Sequence, residues 1–146
     1  MERDFVSKSS IIIKAPAARV WESLVNPEMA KKYFWGAEIS TDWDVGSPIV
    51  FKGEYNGNKY EEKGEILQVK FERLLQYSHW SNLEDIPDAP ENYRNWTFEL
   101  LEKGTNVNLT ITEDNIPTEK QRKRSDEFWN DVLKNIKQLL EQDNTK

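Results

Sequence analysis

A chain of 146 residues has the length of one ordinary domain, and its six Trp, five Tyr and six Phe supply apolar area for a core or for the walls of a pocket. A net charge of −6 argues against a nucleic-acid binder, which needs a positive field to meet phosphates, and against attraction to an anionic membrane surface. The absence of cysteine excludes disulfides, thiol nucleophiles and thiolate metal sites, and it fits a reducing cytoplasm.

The opening MERDFVSKSS lacks the apolar run of a leader, and no later stretch is apolar for long enough to span a bilayer. A cytoplasmic protein with no membrane partner is therefore expected. SSIIIKAP is short, β-branched and stopped by Pro16, which predicts a first strand. PAARVWESLV then sets Val20, Trp21 and Leu24 on one helical face, with Pro16 suited to the first turn. Asn26 offers an N-cap and Pro27 a first helical position for a second short helix, PEMAKKYF, ended by Gly36.

From there to about residue 113 the period is two. Ile49, Phe51 and Tyr55 share a face that Gly53 thins, while Glu61, Lys63 and Glu65 line a solvated one. In WTFELLEKGTNVNLTI, Trp96, Phe98 and Leu100 face one way, Lys103-Gly104 turns the chain, and Val107, Leu109 and Ile111 return on the same side. A last helix follows. Thr118 and Gln121 have capping-box spacing, and Phe128, Trp129, Val132, Leu133, Ile136, Leu139 and Leu140 form its apolar stripe.

The order predicts an α+β fold over residues 1–146. A curved antiparallel sheet of about six or seven strands grips the C-terminal helix, with two short helices after the first strand. If sheet and helix stand slightly apart, an aromatic-lined cavity lies between them.

Four blocks carry a resemblance. IKAPAARVWESLVNPEMAKKYFWG, GEILQVKFERLLQYSHW, WTFELLEKGTNVNLTI and FWNDVLKNIKQLLE resemble, in order, segments of the domain named for the activator of heat-shock-protein-90 ATPase. That domain belongs to the START-like superfamily, which shares the helix-grip fold of the birch-pollen allergen. The resemblance implies a hydrophobic ligand cavity between the sheet and the last helix. One position departs from the family: Phe128-Trp129 stands where Gly-Trp is common, so a phenyl ring pointing inward would fill part of that cavity.

Candidate chemistry is sparse. His79 is the only histidine, and in a strand Ser78 and His79 point to opposite faces, so they form no nucleophile–base pair. There is no Gly-x-Ser-x-Gly elbow. One histidine without cysteine builds no ordinary zinc site, and the acidic loop NLEDIPDAPEN lacks calcium-loop register. The six glycines form no phosphate cradle. Glu54, Glu61, Glu62 and Glu65 are read as a wet strand face rather than an acid pair. No cofactor and no catalytic residue are expected.

The residues expected to contact a ligand are Phe51, Tyr55, Tyr77, His79, Trp96 and Phe98 of the sheet with Phe128 and Val132 of the helix; the alternative is a closed core. KQRKR loads Lys120, Arg122, Lys123 and Arg124 against the helix dipole, at a cost of ~0.3–1 kcal/mol per ill-placed charge. Up-and-down connectivity puts the loop bearing Glu84, Asp85, Asp88 and Glu91 at that same end. It would form a weakly held lid, or simply a solvated charged surface. The first functional expectation is binding of a small, largely apolar or aromatic molecule. The alternatives are a protein-interaction module with a chaperone or other protein partner, and a cyclase- or hydrolase-like enzyme on the same fold.

Overall fold

The computed structural model describes residues 4–143; residues 1–3, the first part of the stretch read for a leader, lie outside it. β1 (Phe5–Ile13) leads into α1 (Ala17–Val25) and α2 (Pro27–Tyr33). Then come β2 (Glu38–Ser40), β3 (Pro48–Tyr55), β4 (Asn58–Lys70), β5 (Leu74–Ser81), β6 (Arg94–Lys103), β7 (Asn106–Ile116) and α3 (Glu119–Asp143). The strands make one seven-stranded antiparallel sheet in the order β1-β7-β6-β5-β4-β3-β2, and α3 lies across it against β1 and β7. This is the expected α+β helix-grip architecture.

Local chemistry sets the elements. The Asn26 carboxamide accepts from the Glu28 and Met29 amides at 2.9 and 3.3 Å, and so starts α2 in the manner of an N-cap. Asn56 and Gly57, with φ of 50° and 79°, make the two-residue turn that reverses β3 into β4. Thr118 caps α3 by accepting from the Gln121 amide at 3.1 Å, but the Gln121 side chain reaches elsewhere, so only half of a capping box forms.

The apolar stripes meet as their periods predict. Trp129, Val132, Leu133, Ile136 and Leu140 of α3 are buried against Phe98, Leu109 and Ile111 of the sheet and Val20, Trp21 and Leu24 of α1. Three details correct the sequence reading. β1 begins at Phe5, four residues before SSIIIKAP, because it pairs with β7 as far as Ile116. β2 has three residues and escapes any period count. The β6–β7 turn is Gly104-Thr105, since Lys103 still pairs with Asn106.

Candidate functional site

A cleft of about 840 Å³ opens between the concave face of the sheet and the first half of α3. Its sheet wall carries Phe51, Glu62, His79 and Trp96 from four successive strands, and its helix wall carries Ser125 and Phe128. The rim is made by the turn after α2. Trp35 and Gly36 both take positive φ (49° and 87°), and the chain reverses there with Trp35 58% exposed. Leu83 and Glu84 complete the rim from the loop after β5. A depression of about 930 Å³ on the outer face of the sheet is lined by Glu65, Ser78, Asn95 and Asp114 and lacks such an aromatic wall.

The predicted contact residues divide. Phe51, Tyr55, His79, Trp96 and Phe128 line the cleft; Tyr77, Phe98 and Val132 lie buried beneath it in the core. Tyr55 is 64% exposed at the end of β3, on the mouth rather than inside. The Phe128 ring stacks on Phe34 at 6.3 Å and 13° and sits 5.4 Å from Trp35, so it forms a wall and leaves the space beside it open. Burial pushes the Tyr77 hydroxyl well above its ordinary pKa, which keeps it neutral.

His79 lies flat on Trp96, ring centroids 3.7 Å apart at 18°, and its Nε2 is 2.8 Å from Glu62 Oε1. Glu62 does not belong to the wet strand face expected for it; it is a cleft residue. The signal was present, since Glu61, Lys63 and Glu65 facing solvent turn Glu62 inward. Burial pushes the Glu62 carboxyl up, but hydrogen bonding and attraction from His79, with a hydrogen bond from Ser81, outweigh it and hold the group below its ordinary range.

A folded pKa below the unfolded one gives stability that is present above the unfolded pKa of about 4.3 and lost as pH falls through the folded value. Glu62→Gln should therefore flatten the acid limb of a plot of urea midpoint against pH. An acid limb unchanged from wild type would show that the pair contributes nothing.

Arg94 anchors the cleft floor. Its Nη1 donates to Glu113 Oε2 at 2.9 Å, and its Nη2 donates to Glu84 Oε1 at 2.7 Å and Gln121 Oε1 at 2.9 Å. Glu113 Oε1 also accepts from Trp129 Nε1 at 2.8 Å. The loop after β5 and the start of α3 thus lie at one end, as expected, but Arg94 joins them. Among the described residues no ion pair links the acidic loop to the basic turn: Asp88 pairs with Lys63, and Arg122 pairs with Glu119 and Asp126 of its own helix. Trp80 Nε1 also holds the loop, through Pro87 O at 3.1 Å. This is a fastened loop rather than a charge-latched lid.

No helix among the described residues is long and apolar enough to cross a membrane. The family model for activator of Hsp90 ATPase homolog 1-like protein matches residues 14–141. No curated protein matches the chain. Among solved structures, ChR145 of Cytophaga hutchinsonii is 43% identical over 100% of both chains, with a TM-score of 0.86. The Aha1 dimer of Colwellia psychrerythraea is 20% identical over 93% of this chain and 96% of that one, at 0.72. PFC0360w of Plasmodium falciparum, an HSP90 activator, is 17% identical over 92% and 95%, also at 0.72. At those last two identities the likeness is one of fold alone.

Proposed function

Taking as premise that the chain belongs to the activator of Hsp90 ATPase homolog 1-like family, we propose that it is a cytoplasmic, single-domain binding protein for a small, largely apolar molecule. The carrying observation is the cleft. Its volume of about 840 Å³ falls within the roughly 300–1,000 Å³ of small-molecule sites, and the rings of Phe51, Trp96 and Phe128 wall it alongside polar and charged groups. Phe51, Trp96 and Phe128 would give contact area, Tyr55 would close over the mouth, and His79 would orient the ligand by a hydrogen bond. Tyr77, Phe98 and Val132 would support that wall from behind.

The test is thermal unfolding against a panel of small apolar and aromatic compounds. A ligand at 100 times its dissociation constant stabilises by about 2.7 kcal/mol. At about 2–4 °C per kcal/mol for a domain of this size, the midpoint should rise by several degrees. A flat response across the panel would sink the reading.

A second reading is a protein-interaction module with a chaperone or other protein partner. The exposed side chains of Trp35, Tyr55 and Leu83 around the mouth favour it, because large exposed apolar groups in one place mark contact surfaces. Replacing all three by serine would abolish such a contact while leaving the inner walls of the cleft intact.

A further inference from the structure

The polar atoms of the cleft are not equally free to meet a ligand. Arg94 commits both Nη atoms to Glu113, Glu84 and Gln121. Arg94 Nε and Trp96 Nε1 have no partner among the described residues, but both are fully enclosed, so a bound molecule reaches neither unless the wall moves. Ser125, on the helix wall, carries a hydroxyl that donates or accepts and so selects nothing. Arg124 and Asp131 are exposed, and water competes for both.

His79 differs. Trp96 lies flat against its ring at 3.7 Å, the Phe51 ring stands nearly perpendicular to it at 5.6 Å, and Glu62 Oε1 is 2.8 Å from Nε2. Contacts from β3, β4 and β6 thus fix the plane of the ring. Glu62 fixes its proton as well. With its carboxyl held below the ordinary range, Glu62 is ionised and only accepts, so the proton between the two groups belongs to Nε2. In the neutral ring the lone pair is then on Nδ1. That atom also lacks a partner among the described residues. Unlike Arg94 Nε and Trp96 Nε1 it is not enclosed, and it shares in the 5% of His79 left open to the cleft.

An acceptor held in this way calls for a donor. A molecule that brings an O–H or N–H group to Nδ1 gains a hydrogen bond beside aromatic walls, where a low dielectric strengthens it. A molecule that offers only an ether or carbonyl oxygen sets lone pair against lone pair and leaves Nδ1 dry without a bond.

We propose that the cleft selects an apolar molecule carrying a hydroxyl or N–H donor, that this donor bonds to His79 Nδ1, and that Glu62 sets the selection by holding the imidazole in its Nε2–H form. This rests on the reading of the cleft as a ligand site, and it deepens that reading.

His79 is the only histidine, so the full chain isotopically labelled at its histidine nitrogens reports on this one ring. At about pH 8, where imidazole is ordinarily neutral, long-range nitrogen–proton NMR correlations should show the Nε2–H form. Addition of para-ethylphenol should shift the Nδ1 resonance. The same compound with its donor methylated, para-ethylanisole, should move it far less. In calorimetric titration the phenol should bind roughly two- to tenfold more tightly, the range of one net hydrogen bond, although the anisole has more apolar area to bury. In His79→Phe, which keeps a ring against Trp96, the preference should vanish while the anisole still binds. Glu62 is 20% exposed and can turn to water in that variant.

An Nδ1–H ring overturns the inference, and so does an Nδ1 resonance that ignores the phenol. Equal or tighter binding of the anisole overturns it while the apolar-ligand reading stands. A preference for the phenol that persists in His79→Phe overturns it by placing the donor on another acceptor. Binding of neither compound overturns it too, and the wider thermal-unfolding panel then decides the apolar-ligand reading by itself.

Discussion

Gly64→Ala should cost more than about 3 kcal/mol, at or beyond the top of the ordinary range for overpacking. Gly64 lies in β4, in the middle of the sheet, where a Cβ would stand 1.6 Å from the Ser78 carbonyl oxygen and 2.4 Å from its carbon. Those atoms are β5 backbone and cannot swing aside. To admit a methyl group the two strands must part between the Lys63–Trp80 and Ile66–Tyr77 pairs. Glu62 and His79 flank that point, so the cleft wall moves with it.

Gly53→Ala is the control. There the nearest atoms belong to the Tyr60 side chain, its hydroxyl oxygen at 2.4 Å, and a side chain can turn away. Urea unfolding should show a large drop in midpoint for Gly64→Ala and a much smaller one for Gly53→Ala. Similar midpoints for the two would show that the close backbone approach is not a constraint.

The fold was legible because its two periods are clean. Val107, Leu109 and Ile111 alternate, the α3 stripe repeats at helical spacing, and each needs the other to be covered. Elements whose form depends on a partner were not legible. Phe5 and Val6 become strand only because β7 runs on beside them, and β2 is held by pairing with β3 alone.

The candidate site was half legible for a similar reason. Hydrophobicity picks out aromatic walls, but it does not separate a wall from the core behind it. Phe98 and Trp96 share a face of one strand, yet only Trp96 reaches the cleft. Position relative to α3 decides that, and α3 is distant in sequence. The polar floor was overlooked although its parity was readable: Arg94 shares a face with Trp96 and Phe98, and Glu113 with Leu109 and Ile111. Both charges sit on core-facing positions and are buried there.

That parity makes Arg94 the second site of large effect. Arg94→Met should cost about 3–5 kcal/mol, the usual consequence of stranding one member of a buried ion pair. Both side chains are almost fully covered, with exposures of 8% for Arg94 and 6% for Glu113. Without the guanidinium, Glu113 keeps only the Trp129 N–H as a partner, whereas Glu84, about a third exposed, can turn to water. The arrangement is not optimised for stability in itself, because Arg94 Nε is buried with no acceptor among the described residues.

Removing the charge from both ends should therefore undo most of the damage. In Arg94→Met/Glu113→Gln, the glutamine can still accept from Trp129, and no buried charge is left alone. The double variant should lie within about 2 kcal/mol of wild type, a rescue that additive single losses forbid. If the double variant is no more stable than Arg94→Met, the cost comes from lost packing instead.

A second readout separates what Arg94 does for the cleft from what it does for the core. Its Nη2 ties the loop after β5, through Glu84, to the first turn of α3, through Gln121. Neither tie returns in the double variant. Amide exchange should then remain faster around residues 82–92 and 118–122 even where global stability has recovered, and the mouth of the cleft should open more often than in the wild-type protein.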